Sequence, residues 1–415
     1  MTTSTTTDSP PTFREKAEKW APGIRVARTY QRIWLPRDLM AGLVLSALLV
    51  PQGMAYAELA GLPAITGLYT TVVCLLAYAV FGPSPYLVLG PDSSLGPMIA
   101  AAILPLAVGD TEYAIALAGM MALMVGALCV GAGIGRLGFV ADLISKPVRI
   151  GYLAGLAITI FIGQLPKLFG FSVDTDGLVQ ELVAVLTNLD QTNLWTLVVG
   201  LLTLAIILGL QRWAPRLPSV LFAVLGAIAV TVILDLTARS VEVIGVLPQG
   251  FPLPSFPLVE LSDLPVLAAT AFGMTLLVIG DSISTSTGFA ARKGYEVDGD
   301  QELVGIGSAN LLVGLFQGFP ISTSGSRTAV AEQSGATSQL RGLVAGLALG
   351  AALPMVFAPF LEDRLPVPAV FQFHLQPLAE AALYGTLAAL IFTIWPLARA
   401  EDVRPAALFR EAFGT

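Results

Sequence analysis

From Asp38 to Gly135 the chain contains no lysine and no arginine. Apolar runs of about 20 residues recur through that stretch and beyond it, and such runs are long enough to cross a bilayer as helices. Only 12% of the 415 residues are charged and 55% are hydrophobic, against about 25% charged in soluble domains. A chain of this kind must satisfy its backbone inside helices, because lipid offers no hydrogen bonds. The fold class expected is an all-α polytopic membrane protein. The first forty residues are polar, so no cleavable signal peptide is visible.

Spans are expected near 40–60, 65–81, 113–133, 148–169, 194–210, 219–236, 264–283, 303–316, 341–361 and 379–398. Two shorter segments lie near 93–108 and 325–334. Before them, residues 1–11 are rich in Thr, Ser and Pro and read as disordered. Arg14, Lys16, Lys19, Arg25, Arg28, Arg32 and Arg37 then form a basic segment with apolar residues between. It reads as an amphipathic helix on the membrane surface, in preference to a nucleic-acid binder.

The distribution of charge orients the chain. With the N-terminus cytoplasmic, Arg136, Lys146, Arg149, Arg212, Arg216, Arg292, Lys293 and Arg341 all fall on the inner side. The alternate loops carry Asp110, Glu112, Asp174, Asp176, Glu181, Asp190, Glu242, Glu260 and Asp263. This alternation works only if both short segments count as crossings or half-crossings. They then enter from opposite leaflets, each third in its half. That pattern marks an inverted repeat with two broken helices whose N-termini meet at mid-membrane. Two ordinary kinked helices would be the plainer reading, but they leave the polar content unexplained.

That content is concentrated in Gln317-Gly-Phe-Pro-Ile-Ser-Thr-Ser-Gly-Ser-Arg-Thr-Ala-Val-Ala-Glu332. A helix starting near Ser324 aims free N–H groups and roughly +0.5 charge at what precedes it, which suits an anion. Ser324, Gly325, Ser326 and Arg327 are therefore candidate substrate-binding residues, with Ser324 as helix cap. Arg327 either attracts the anion or pairs with Glu332 or Asp281. On the first short segment, Ser93 and Ser94 are the counterparts, with Asp92 as cap. Gln52 follows a helix-interrupting Pro51. It offers its amide either to a ligand or to a neighbouring helix. Asp281, at the end of an apolar run, is functional by default. It can hold a coupling cation, carry a proton or pair with Arg327. Glu58 is either an interfacial acid or a protonatable coupling group.

Enzyme chemistry finds no support. There is no phosphate loop and no nucleophile–histidine pair, and His374 is the only histidine. No cofactor or metal site is expected. Cys74 and Cys129 sit in apolar runs and read as buried thiols. Gly131 and Gly135 have the spacing of a helix-packing pair.

Arg37-Asp-Leu-Met-Ala-Gly-Leu and Val50-Pro-Gln-Gly-Met-Ala-Tyr-Ala-Glu-Leu-Ala-Gly-Leu-Pro63, with Gly67-Leu-Tyr69, resemble the first-helix signature of the sulfate-permease (SulP) anion transporters. Gly90-Pro-Asp-Ser-Ser94 resembles the start of that family's third segment. Lys293-Gly-Tyr-Glu-Val-Asp-Gly-Asp-Gln-Glu-Leu303, Ala309-Asn310, Ser326-Arg-Thr-Ala-Val330 and Ser334-Gly-Ala-Thr-Ser-Gln-Leu340 resemble its eighth to tenth segments. The likeness runs from about 34 to 342.

The resemblance implies a seven-plus-seven inverted repeat with core and gate domains and a substrate held between the third and tenth segments. It implies a substrate among sulfate, bicarbonate, chloride or dicarboxylates, and symport with H⁺ or Na⁺, of which H⁺ is the expectation adopted. It places Gln52, Asp92 to Ser94, Asp281 and Ser324 to Arg327 in the binding region. Asp281 departs from the Glu more usual there. A homodimer is compatible with it. The family ends in a cytosolic STAS domain, and this sequence stops without one. After about 361 it offers one convincing span, so the second repeat reads as incomplete. That tail, from Ala381-Ala-Leu-Tyr-Gly to Arg404-Pro-Ala-Ala-Leu-Phe-Arg-Glu411, resembles the end of an FtsX-type ABC permease.

The organisation expected is a cytosolic segment at 1–37, a first repeat at 38–236 and an external linker at 237–263. Second-repeat core helices follow at 264–361 and a divergent tail at 362–415. The function expected is secondary anion transport in a plasma membrane. The competing readings are an anion channel on the same scaffold and a non-transporting membrane component.

Overall fold

A short helix, α1 (Pro22–Thr29), leads through a 3-10 turn into the long helix α2 (Leu35–Leu59). The computed structural model describes residues 20–138, 146–171, 178–214, 219–239, 241 and 251–347. The expected span at 379–398, the tail resemblance and most of the expected span at 341–361 lie outside the described residues. Pro36 starts α2, where its missing N–H costs nothing. Pro51 does not end the helix, which continues unbroken to Leu59. The N-terminal segment is more tightly docked than a surface helix need be. Ala21 and Pro22 are buried, and Gly23 abuts the backbone of Ala79 and Val80.

Helices α3 (Ala64–Phe81) and α5 (Thr111–Ile134) follow, with the short α4 (Gly96–Ala107) between them. Next come α6 (Lys146–Phe169), α7 (Leu178–Thr187), α8 (Leu194–Trp213) and α9 (Ser219–Ile233). The second half supplies α10 (Leu264–Lys293), α11 (Gly299–Leu315), α12 (Gly325–Gln333) and α13 (Leu340–Leu347). Asp110, Asn193 and Asp298 cap α5, α8 and α11 by accepting first-turn N–H groups. Gly294, at φ 72°, ends α10 in the left-handed conformation that glycine adopts without strain. Five described helices are long and apolar enough to cross a membrane.

Packing divides the helices into two sets. Helices α2 to α5 and α10 to α13 share one apolar core, which includes Leu45, Leu49, Cys74, Ile99, Met121, Met274, Ile306 and Val313. By contrast α8 buries no side chain and exposes Leu194, Val198, Leu201 and Leu208. That face suits hydrocarbon, not water. Helix α7 lies in a stretch expected only as an acidic external loop.

The tightest contact in the core is between α5 and α11. It does not use the Gly131–Gly135 pair: an added Cβ at Gly131 meets nothing within 4 Å. Gly126 and Gly307 instead touch backbone to backbone, as do Gly119 and Gly314. A Cβ at Gly307 would stand 2.7 Å from Val130 N and 2.8 Å from Gly126 O. Neither atom can move without separating the helices. Gly307→Ala should therefore lower stability by about 1–3 kcal/mol, read as a lower thermal midpoint in detergent. Gly131→Ala should leave the midpoint unchanged.

Candidate anion site

Two two-residue strands, β1 (Leu89–Gly90) and β2 (Ser322–Thr323), pair antiparallel, with Leu89 opposite Thr323 and Gly90 opposite Ser322. Each immediately precedes a half-helix: β1 leads to α4 and β2 to α12. The pairing satisfies backbone groups that helices cannot reach and brings the two half-helix starts together. Ser324 N extends it by donating to Val88 O at 3.2 Å.

Arg327, in the first turn of α12, is only 1% exposed. Its Nη1 donates to Pro91 O at 2.7 Å and its Nη2 lies 3.5 Å from Gly90 O. Nη2 is also 3.5 Å from Asp92 Oδ2. One guanidinium thus spans three successive residues of the other half. Its Nε is buried without a hydrogen-bond partner. The alternative pairing with Glu332 is not seen among the described contacts, where Glu332 meets Lys293 at 3.0 Å and Arg292 at 3.8 Å.

Asp92 was expected to cap the first half-helix. The N-cap of α4 is instead Leu95, three residues on, and its side chain makes no capping bond. Asp92 Oδ1 accepts from Ser94 N at 2.9 Å and Ser94 Oγ at 2.7 Å, closing a local turn. Asp92 O accepts from Leu95 N and Gly96 N. The amides leading into α4 are therefore turned inward.

The second half-helix differs. Ser324 is its N-cap, with Oγ accepting from Arg327 N at 3.4 Å and facing Ser326 Oγ at 3.0 Å. Gly325 and Ser326 are exposed. Among the described residues no protein group accepts from their N–H groups.

From α2, Gln52 is half-buried, and its Oε1 is enclosed without a hydrogen-bond partner. Tyr56, one turn on, lies beside Ser93, Arg327 and Asp92. Residues four apart share a helix face, so Gln52 and Tyr56 look the same way. Tyr56 was not singled out from the sequence; that spacing was the available signal. From α10, Ser282 is fully buried and accepts from Thr323 Oγ1 at 3.3 Å. Asp281, beside it, is half-buried in mid-helix, not at a helix end. Glu58 is exposed near the end of α2 and joins none of these contacts. Gln52, Tyr56, the Asp92-Ser93-Ser94 turn, Ser282 and the start of α12 are thus joined through α2, the crossing strands and α10.

Broken helices whose starts cross beside a buried arginine define an all-α membrane fold. The chain belongs to the sulfate permease family, whose model matches residues 35–370. It is 40% identical over 352 residues to a probable sulfate transporter of Mycobacterium tuberculosis, covering 85% of this chain and 62% of the relative. With the chloroplastic sulfate transporter 4.1 of Arabidopsis thaliana it shares 33% identity over 340 residues, 80% of this chain and 50% of that one. It therefore spans about three fifths or less of the length of these curated relatives. In fold it matches murine Slc26a9 in the inward-facing state, with a TM-score of 0.77 at 22% identity over 96% of this chain and 67% of that one. The transmembrane domain of the cyanobacterial bicarbonate transporter BicA gives 0.68 at 23% identity over 88% and 97%.

The clamp makes a prediction of its own. A Cβ at Gly90 would stand 2.6 Å from Arg327 Nη1. Gly90→Ala should push the guanidinium off Pro91 and lower the thermal midpoint, while Gly325→Ala, with open space around it, should not. Equal midpoints for the two variants would show that Arg327 does not hold the first half-helix.

Proposed function

We propose that the chain is the membrane part of a secondary active transporter of inorganic anions or dicarboxylates, of the sulfate, bicarbonate or fumarate-like class. The observation that carries this is the start of α12. Among the described residues, two exposed N–H groups donate to no protein group, and with two hydroxyls they stand beside an arginine whose Nε has no hydrogen-bond partner. Such a terminus receives an anion through oriented donors and a partial positive charge. In this reading Ser324, Gly325, Ser326 and Arg327 hold the substrate from one side. Gln52, Ser93 and Ser94 close it from the other. The relatives named as sulfate transporters and the bicarbonate transporter of like fold support the substrate class.

Movement would set α2 to α5 and α10 to α13, as a core, against α6 to α9, as a gate. The absence of any α6 to α9 residue from the shared apolar core, among the described residues, supports that division. Coupling is assigned to a proton in preference to Na⁺. Asp281 is favoured over Glu58 as the coupling acid, because its neighbour Ser282 touches β2 while Glu58 stands apart. The N-terminus is assigned to the cytoplasmic side of a plasma membrane. The partners are then the anion, the proton and the bilayer, and a second copy of the chain is compatible with the arrangement.

Radiotracer uptake of sulfate, bicarbonate and fumarate into proteoliposomes, with and without an inward proton gradient, tests the reading. Saturable uptake stimulated by the gradient is expected for at least one of the three. Unsaturable flux indifferent to the gradient would indicate a channel instead. Losing one charge-assisted contact costs about 1.5–3 kcal/mol, so Arg327→Ala should reduce uptake about 10- to 100-fold. Wild-type uptake in that variant would remove Arg327 from the site. Asp281→Asn should abolish the stimulation by the gradient.

A further inference from the structure

A second acid stands apart from all of this. Glu302, in the first turn of α11, is fully buried. One carboxyl oxygen, Oε1, accepts from the Tyr78 hydroxyl of α3, and Tyr78 is itself 1% exposed. The other, Oε2, is buried with no hydrogen-bond partner among the described residues.

The charges around it do not compensate. Among the described residues no cation forms an ion pair with Glu302, the ion pairs being those of Arg292 and Lys293 with Glu332 and of Arg327 with Asp92. From α3 only Tyr78 faces it, and α3 has no charged residue. From α5 comes no charge, since Glu112 at its opposite end is the only charged residue of that helix. From the loop after α10 come Tyr295, which hydrogen-bonds Ser84 Oγ at 3.2 Å, and Asp298, whose charge is of the same sign. From α13 comes Arg341, which interacts electrostatically with Tyr78 and Tyr295. Its guanidinium donates to the carbonyls of Pro85, Leu87 and Ser338, not to Glu302. Asp300, on the same helix, is engaged by Gly138 N at 3.0 Å. A helix start could stabilise a carboxylate. Here Asp298 already takes the free amides, accepting from Asp300 N, Gln301 N and, through its carbonyl, Glu302 N.

An ionised carboxylate with one hydrogen bond, no cation and a like charge nearby is disfavoured against its neutral form. A neutral carboxyl leaves only an under-satisfied oxygen, which folded proteins tolerate far better than a bare charge. We propose that Glu302 is a proton-binding site, occupied while α3 and α11 are packed as seen here and emptied when water reaches it. It is distinct from the coupling role given to Asp281 and does not depend on it. The ligand is the proton itself. Ionisation would be expected to loosen α11 from the end of α3, where Gly305 packs against Phe81 O and Gly82.

Infrared difference spectroscopy of the lipid-reconstituted chain across a pH titration tests this without any transport assay. The carbonyl band of a protonated carboxyl should be present at pH 7 and lost on alkalinisation. It should be absent from Glu302→Gln, retained in Asp281→Asn and shifted in frequency in Tyr78→Phe. Glu302→Gln should fold, because a neutral isostere suits the pocket. Once corrected for the intrinsic base-catalysed rate, amide protection at the facing ends of α3 and α11 should fall on alkalinisation in the wild type and stay constant in Glu302→Gln. A Glu302→Gln spectrum identical to wild type, or a Glu302→Gln chain that cannot fold, overturns the proposal.

Discussion

The clamp of Arg327 on Gly90, Pro91 and Asp92 is the contact on which the rest of the structure turns. Burying an arginine at mid-membrane costs about 2.5–3.5 kcal/mol on the insertion scale. Its place in the first turn of α12 adds an unfavourable dipole contribution of about 0.3–1 kcal/mol. Hydrogen bonds from a charged donor return about 1.5–3 kcal/mol each, and Arg327 makes two to carbonyls besides facing Asp92. That is enough to hold it in place without a guest. The burial of Arg327 therefore says little about an anion by itself. The unsatisfied donors beside it say more.

The first half-helix is consequently not a mirror of the second. Asp92 both draws in the amides before α4 and offers its other oxygen to Arg327. The second half-helix keeps its exposed amides at Gly325 and Ser326. In the proposed reading, an anion between them would meet a donor-rich end on one side and the Ser93 hydroxyl and Gln52 amide on the other. The clamp is extended along the chain by further second-half residues. Thr328 Oγ1 accepts from Val88 N, and Gln339 Nε2 donates to Ser84 O and Leu87 O. The connection leading into α4 is thus splinted from Ser84 to Asp92, so that both half-helix starts are held as one body.

A parallel anchor stands where α2 begins. Asp38 is fully buried, yet it accepts from Thr337 N and Oγ1, Ser338 N and Oγ, and the Tyr30 hydroxyl. Burial, together with the Asp38 carboxylate, pushes the Tyr30 phenol up to about 12, so it remains a donor across the physiological range. The expected boundary between the N-terminal segment and the first repeat, at 37 and 38, thus falls beside a residue that ties the two halves together.

The helices were legible because lipid leaves a chain few alternatives, and the half-helix starts because Pro, Gly and Ser interrupt apolar runs there. What the sequence concealed were the partners. Asp92 and Arg327 are separated by most of the chain, whereas Glu332 looked closer. Five residues along a helix turn through about 500°, however, which carries Glu332 away from the Arg327 face. Asp92 looked like a cap, but its oxygen is spent on Ser94 three residues too early. Glu302 carried no signal of its own in the sequence beyond lying in the Lys293–Leu303 stretch. Its hydrogen-bond partner, Tyr78, stands more than two hundred residues away in the chain, out of reach of any local spacing. The most direct measurement of the central claim is anomalous scattering from selenate, a heavy sulfate analogue, soaked into crystals of the chain. A selenium peak within hydrogen-bonding reach of the Gly325 and Ser326 amides is predicted. A peak elsewhere in a chain that transports selenate would contradict it.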